Sequence, residues 1–217
     1  MTGGLEAALS GGLAALQLEL SSVQAKQLLD YIALIQKWNK VYNLTAVRSP
    51  DEMLTHHLLD SLAVIRPLLR QGGAGPFRLL DVGSGAGLPG VVVAICCPQI
   101  EIDCVDAVAK KAAFIQQVAA SLQLPNLRGL HDRVENLRAT YAVVASRAFA
   151  SLADFVTLSE PVLAPGGVWL AQKGRDPAAE IANLPPGAEV FHVEQLTVPG
   201  LDAERCIVWL RRASSFT

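Results

Sequence analysis

The sequence has little of what marks secreted, membrane-spanning or strongly basic proteins. Its four cysteines form no CxxC pair, which argues against a disulfide framework. No apolar run reaches the roughly 18 residues of a membrane span. The first residues show no basic segment followed by a hydrophobic stretch, so no signal peptide is predicted. A net charge of −2 excludes a protein that coats nucleic acid through bulk charge. We therefore expect a cytoplasmic protein without membrane association.

The length and composition of the chain are typical of a globular protein with one α/β domain and a small extension. The chain has 217 residues, of which 51% are hydrophobic. The first third of the chain has helical spacing, which predicts helices over 5–18, from about 22 to 38, and over 50–69. Ser21 or Ser22 is expected to cap the second helix and Ser49 the third, with Pro50 in its first turn. The glycine-rich joint 71–76 predicts a boundary between a helical extension, 1–73, and a main domain, 74–217.

Beyond this joint, short apolar runs alternate with helical segments. Strands are predicted over 77–82, 100–105, 127–130, 141–146, 168–172, 190–198 and 206–211. Between them, helices are predicted over 91–97, 109–122 and 151–163, the last ended by the turn residues 164–167. This alternation predicts an α/β fold with a doubly wound, seven-stranded, mostly parallel sheet that ends in an antiparallel pair.

A glycine-rich loop follows the first strand and precedes a helix. Its sequence runs from Asp81 through Gly83, Gly85 and Gly87 to Leu88, then Pro-Gly. Such a loop can bind the pyrophosphate of a dinucleotide, or the amino-acid end of S-adenosylmethionine, or it can form a tight turn only. In the second case, Asp81 would either hold the ammonium group, directly or through water, or anchor the loop. The spacing alone does not choose among these alternatives.

Two further features lie beyond the next strands. Asp106 ends the second strand about twenty residues after the glycines, where a carboxylate can accept hydrogen bonds from a ribose, or cap the following helix. After the third strand, backbone groups near Val134 and Glu135 are placed to contact an adenine, or simply start a solvated helix.

Several motifs in combination resemble one family over 20–212. They are Trp38-Asn39 with Tyr42-Asn43-Leu44-Thr45, His57 with Asp60-Ser61-Leu62, the loop Asp81–Gly90, Arg133-Val134-Glu135, Ser146-Arg147-Ala148-Phe149-Ala150, and Leu201-Asp202 with Glu204-Arg205. The chain looks like a member of the bacterial small-subunit ribosomal RNA guanine-N7 methyltransferases, historically called glucose-inhibited division protein B. The resemblance implies a Rossmann-like class I methyltransferase fold, S-adenosylmethionine as cofactor, and small-subunit rRNA or an assembly intermediate as partner.

The resemblance also implies which residues bind the cofactor. Family contacts carry over onto Gly83, Leu88, Val134, Glu135 and Arg147. Asp81 and Asp106, together with the remaining loop glycines Gly85 and Gly87, match the general methyltransferase pattern. The family often has arginine where this chain has His56, and no long basic tail is present. We expect the protein to act as a monomer and to need no metal.

Methylation of guanine N7 would require little acid–base chemistry from the protein. N7 has a free lone pair and carries no hydrogen, so positioning and electrostatics suffice. Arg147, after the fourth strand, is the candidate catalytic residue because an arginine can bind O6 and leave N7 free. Alternatively it forms an ion pair with Asp106, Glu135 or Asp154.

Other residues have two interpretations each. Lys173 and Arg175 are phosphate ligands or ordinary surface charges, and Phe149 stacks on a base or packs in the core. Glu52, His56 and Asp60 share one face of the predicted third helix, where a metal site is conceivable but the chemistry requires none.

Three rival functions remain at this point. They are an NAD-dependent oxidoreductase, an RNA- or ribosome-binding module without activity, and a methyltransferase for another RNA, a small molecule or a protein. No proton-relay group expected of the first is evident.

Overall fold

A seven-stranded sheet forms the centre of the molecule in a computed structural model that describes residues 2–73, 75–147, 149, 151–174 and 177–213. The strands are β1 Arg78–Val82, β2 Glu101–Asp106, β3 Leu127–His131, β4 Tyr141–Arg147, β5 Leu163–Lys173, β6 Ala188–Leu196 and β7 Arg205–Arg212. Their order across the sheet is β3-β2-β1-β4-β5-β7-β6. Strands β1 to β5 pair in parallel, and β7 lies antiparallel between β5 and β6. The predicted sheet is confirmed.

This topology decides where a ligand can bind. The order reverses between β1 and β4, and the carboxyl ends of the parallel strands form one edge of the sheet. Open α/β sheets bind ligands beyond that edge, at the point of reversal. Residues that follow β1, β2, β4 and β5 are therefore brought together.

Helices cover the sheet and form the N-terminal extension. They are α1 Thr2–Ala15, α2 Ser22–Tyr42, α3 Pro50–Met53, α4 Asp60–Leu62, α5 Ile65–Gly72, α6 Gly90–Cys96, α7 Ala109–Ser121, α8 Leu152–Ser159 and α9 Ala178–Ile181. None of the helices among the described residues combines the length and apolarity needed to cross a bilayer.

The start of α2 confirms the expected cap, whereas its end differs from the prediction. Ser21 accepts a hydrogen bond from the Gln24 amide, and the Gln24 side chain bonds back to the Ser21 backbone. The helix continues past Trp38 to Tyr42, where Asn43 adopts a left-handed conformation with φ 50°. Asparagine tolerates this conformation, so it ends the helix as a glycine would.

The predicted single helix over 50–69 is wrong in its middle. Ser49 caps α3 as expected, but Leu54–Leu59 forms a π-helical segment before α4 and α5. A π turn contains one more residue than an α turn, which changes the direction of the side chains that follow. A regular helix would place the side chains of Glu52, His56 and Asp60 on one face. Because a π-helical segment lies between them, this prediction does not hold.

The region before β5 also differs from the prediction. Helix α8 ends at Ser159, a short 3-10 segment with Pro161 in its first turn follows, and β5 already begins at Leu163. Proline cannot continue an α-helix, which explains the early end. The predicted turn at 164–167 is the first part of β5, where its pairing with β4 is irregular.

The helical extension shares its core with the sheet. One buried cluster contains Leu28 and Ile35 of α2 together with Val91 of α6 and Trp209 of β7. The hydroxyl of Tyr31 is fully buried and donates to the Ala86 carbonyl of the glycine loop at 2.6 Å. The division into 1–73 and 74–217 therefore remains a sequence prediction, since the packing is continuous across it.

Candidate functional site

The glycine loop is fixed by hydrogen bonds to the two strands beside it. The Gly83 amide donates to the Val105 carbonyl at 2.9 Å, and the Gly85 amide donates to the Asp106 carboxylate at 3.0 Å. Gly85 has φ +60°, a conformation that favours glycine, and a Cβ at this position would enter open space. The loop thus presents a backbone without side chains to the space above it.

Asp81 supports this loop from below. Its carboxyl group is fully buried, with Oδ2 accepting from the Gly90 amide at 2.8 Å and Oδ1 lacking a partner among the described residues. A side chain at Gly90 would collide with Asp81 and Cys104. Burial raises the pKa of Asp81 from 3.8 to about 7, although the Gly90 bond and the positive charge of Arg147 lower it.

A cavity of about 550 Å³ opens above the loop, at the carboxyl edge of the sheet. We call it the main cavity. Its lining residues come from the loop, the helical extension and the ends of β4, β5 and β7: Leu44, Thr45, His56, His57, Asp60, Gly83, Ser84, Gly85, Ala86, Leu88, Lys111, Arg147, Gln172, Lys173, Gly174 and Arg205. The main cavity is thus formed jointly by both parts of the chain.

Two arginines in the main cavity share one buried carboxylate. Asp60 accepts from Arg147 Nη1 at 3.0 Å through Oδ2 and from Arg205 Nε at 2.9 Å through Oδ1. Arg147 Nη1 also donates to the His56 carbonyl at 3.0 Å. Lys173 Nζ lies 2.8 Å from Glu180. These groups leave the wall of the cavity with an excess of positive charge.

The main cavity adjoins a second cavity of about 290 Å³, and both are lined by Gly83. The second cavity is otherwise lined by residues that follow β1, β2 and β3 and by two side chains from the region of α8: Val82, Val105, Asp106, Ala107, Asp132, Arg133, Val134, Glu135, Phe149 and Leu158. Its lining is mainly apolar, with carboxylates at the rim. The two cavities therefore meet at Gly83 of the glycine loop.

His57 lies buried in the wall of the main cavity. Its Nε2 is 2.8 Å from the Thr45 hydroxyl. Burial and, to a smaller extent, the nearby positive charge of Arg147 lower the pKa of His57 from 6.5 to about 4. The imidazole is therefore neutral at neutral pH and adds no charge to the arginine pair.

Comparison with known proteins places this architecture in a family. The model of the GidB family, described as rRNA small subunit methyltransferase G, matches residues 24–208 of this chain. A protein of Albidiferax ferrireducens named ribosomal RNA small subunit methyltransferase G is 64% identical over 97% of this chain and 98% of its own length. A protein of Paracidovorax citrulli with the same name is 65% identical over 95% of this chain and 90% of its own.

The chain belongs to the rRNA small subunit methyltransferase G family.

Solved structures of lower identity share the fold. A SAM-dependent methyltransferase from Aquifex aeolicus superimposes with a TM-score of 0.56 and 14% identity, covering 75% of this chain and 93% of its own. Magnesium protoporphyrin IX methyltransferase from Synechocystis, solved with bound SAM, gives 0.58 and 10% identity, covering 85% of this chain and 98% of its own. The predicted Rossmann-like class I fold is thereby confirmed, and membership of this methyltransferase family argues against the oxidoreductase alternative.

The structure brings most of the residues predicted from the sequence to the two cavities of this family member. Gly83, Gly85, Leu88 and Arg147 line the main cavity, while Asp106, Val134 and Glu135 line the second. Gly87 faces the core instead, because a side chain there would meet Val91 and Ile115. Asp81 is behind the loop, which corresponds to the anchoring alternative.

Three of the interpretations left open can now be compared with the observed contacts. Both Asp106 oxygens are used within the chain, since Oδ1 accepts from the Val108 amide and Oδ2 from Gly85. Arg147 does form an ion pair, but with Asp60 rather than with Asp106, Glu135 or Asp154. Phe149 lines the second cavity, with its ring 5.8 Å from that of Phe155.

The remaining sequence candidates are the two basic residues after β5 and the conceivable metal site. Lys173 is paired with Glu180, whereas Arg175, like Ala148 and Ala150 of the Ser-Arg-Ala-Phe-Ala motif, lies outside the described residues. In the described part of the chain, no group of His, Cys, Asp or Glu is arranged to hold a metal ion.

Besides Gln172, which no motif marked, sequence reasoning missed three groups in the main cavity. Asp60 was weighed only as a conceivable metal ligand, and Arg205 and Thr45 were only parts of family motifs. All three lie within motifs that carry the resemblance, and this was the signal that could have identified them. Their roles depend on pairing across the chain, with Arg205 145 residues from Asp60, which periodicity does not show.

The buried Asp81 predicts a pH dependence of stability. Between pH about 4 and 7 the unfolded chain has released this proton while the folded chain retains it, because the folded pKa is raised. The free energy of unfolding therefore falls as pH rises through this window. Asp81→Asn should remove this contribution, measured by urea unfolding of both proteins at intervals across the window. The exposed Asp202→Asn serves as control, and equal slopes for wild type and Asp81→Asn would contradict the prediction.

Proposed function

We propose that the protein transfers a methyl group from S-adenosylmethionine to N7 of one guanine in small-subunit ribosomal RNA. The observation that carries the proposal is the pair of cavities that meet at Gly83 of the glycine loop, one with a cationic wall and the other with a mainly apolar lining. Family membership supports the reaction type and the class of RNA. We further propose that the protein acts in the cytoplasm on this RNA or on an assembly intermediate.

The residues present fit S-adenosylmethionine in chemistry as well as in shape. Its adenosine would occupy the second cavity, with Val134 and Glu135 near the base and Asp106 near the ribose. Its charged methionine end would lie against Gly83, Gly85 and Leu88, where a side chain at Gly85 would fill the space. Asp81 lies directly below this loop, where its bond to the Gly90 amide helps to keep the loop in the shape that would receive the methionine end.

Bound S-adenosylmethionine supplies an activated methyl group on its sulfonium. Because guanine N7 carries no hydrogen, no side chain has to remove a proton from it. The work of the chain is to hold the base in line, to exclude water and to balance charge. Arg147 is the proposed catalytic residue: Nη1 is held by Asp60 and His56, while no partner for Nε or Nη2 is found among the described residues, so these can donate to O6.

We further propose that the protein acts as a monomer, which the mass of the active species in solution would test.

The test is to map modified nucleosides in small-subunit rRNA from cells with and without the gene for this protein. We expect the loss of one 7-methylguanosine, restored by the wild-type protein in the presence of S-adenosylmethionine. An unchanged set of methylated nucleosides would refute the substrate. Retention of rRNA binding without any methyl transfer would instead favour the inactive binding module. Binding of labelled S-adenosylmethionine and NAD, measured side by side, tests the cofactor separately.

A further inference from the structure

Asp60 joins three groups that line the main cavity. It lies in α4 of the helical extension and is 2% exposed. Its two carboxylate oxygens accept from Arg147 and Arg205, at 3.0 and 2.9 Å, and its backbone carbonyl accepts from Gln172 Nε2 at 2.9 Å. One residue of the extension therefore sets the positions of side chains from β4, β5 and β7.

The Gln172 side chain presents a hydrogen-bond acceptor that the chain does not use. Its Nε2 donates to a carbonyl, so the opposite amide orientation would place two oxygens against each other. The orientation is thus determined, and Oε1 is left buried without a partner among the described residues. Gln172 is 3% exposed and lines the main cavity. A buried acceptor without a donor is costly, so the partner of Oε1 must come from outside the chain, as a bound water or as a ligand in the main cavity.

The chemistry of this wall matches one base better than the others. Guanine has O6, an acceptor, between N7 and N1–H, a donor. Adenine has the reverse arrangement, with an amino donor at C6 and an acceptor at N1. Guanidinium groups beside a fixed amide oxygen offer donors to O6 and an acceptor to N1–H. The same groups would oppose adenine, because donors would meet its amino group.

We propose that Gln172 Oε1 accepts a hydrogen bond from guanine N1–H, and that Asp60 is the positioning residue that holds Arg147, Arg205 and Gln172 in place to recognise the base. This inference rests on the proposed function and adds to it the groups that distinguish guanine from adenine. A residue of β5 would thus recognise the base, and a residue of the helical extension would hold the recognising side chains in place.

The first variant pair tests the acceptor. Gln172→Leu removes Oε1 with little change in volume, and kcat/KM for small-subunit particles lacking the modification should fall about 10-fold or more. The dissociation constant for S-adenosylmethionine should stay within about twofold, since the amide is placed to contact only the base. The matched control is Gln116→Leu, which also loses an amide bond to a backbone carbonyl, that of Gly129, but in α7.

The second pair tests the positioning residue. Asp60→Asn directs an amide N–H toward one of the guanidinium groups, and kcat/KM for the RNA should again fall about 10-fold or more. Asp103 is the matched control, because it is also buried and pairs with Arg78 and Arg128 at 2.9 and 2.7 Å, at the opposite edge of the sheet. Asp103→Asn should lower the melting temperature and leave the kinetic constants unchanged.

The outcomes distinguish this inference from the function on which it rests. Wild-type protein that produces no 7-methylguanosine would refute the function itself. Active wild type with an unchanged kcat/KM for Gln172→Leu would refute the acceptor, and equal losses for Asp60→Asn and Asp103→Asn would reduce Asp60 to a structural role. If Arg205→Ala instead lowers the slope of log affinity against log salt concentration by about one unit, this arginine binds phosphate and its part in base recognition is refuted.

Discussion

Replacing Gly85 by aspartate should raise the dissociation constant for S-adenosylmethionine at least about 100-fold, by adding strain, volume and negative charge at one point. Gly85 has φ +60°, and its Cβ position opens into the main cavity. A carboxylate there would occupy the space proposed for the methionine end and face a group of its own charge. It would also lie near Asp106, whose carboxylate binds the Gly85 amide.

Calorimetric titration with S-adenosylmethionine and with its demethylated product measures this effect. Gly166→Asp is the matched control, because Gly166 also has positive φ, +73°, with open space at its Cβ position, but lies near the start of β5. Both variants should lose similar stability, and only Gly85→Asp should lose binding. Near-normal affinity in Gly85→Asp would remove the glycine loop from the cofactor site.

Arg147→Ala should lower kcat about 100-fold, because the base would lose the donor that holds it in line with the methyl group. Its Nη1 is fixed by Asp60 and by the His56 carbonyl, so the remaining guanidinium nitrogens are already oriented before the base arrives. Alanine removes the proposed bond to O6 and with it the orientation of the base. Single-turnover kinetics with saturating S-adenosylmethionine and small-subunit particles separate this chemical step from binding.

Stability must be separated from catalysis in this variant, since Asp60 would keep only one arginine partner. Arg128→Ala removes one of two arginines from the buried Asp103 in the same way, away from both cavities. Similar melting temperatures combined with a large difference in kcat would support the role of Arg147. A kcat within about twofold of wild type would exclude it as the catalytic residue.

The sequence was sufficient to predict the sheet because the signals there are local. Short apolar runs such as 141–145 in β4 are followed by polar residues, and the loop glycines stand directly after β1. Parallel pairing then brings the ends of these strands together without further information. The place of the candidate site in the fold therefore followed largely from strand order, whereas the predicted cofactor residues came from the family motifs.

The substrate side could not be derived in this way. Asp60 and Arg147 are 87 residues apart, and their pairing depends on how the extension packs against the sheet. The π-helical segment Leu54–Leu59 also changes which side chains share a face, and regular helical periodicity cannot anticipate it. For the same reason the unpaired Gln172 oxygen became visible only once its neighbours were known.

The bond from Tyr31 to Ala86 has a consequence for any attempt to treat the extension as a detachable module. Removing α2 would leave the Ala86 carbonyl without the hydroxyl that donates to it and the glycine loop without support from below. We therefore expect a chain without α2 to lose the conformation of the glycine loop as well, because the extension is part of the framework that holds the loop in place.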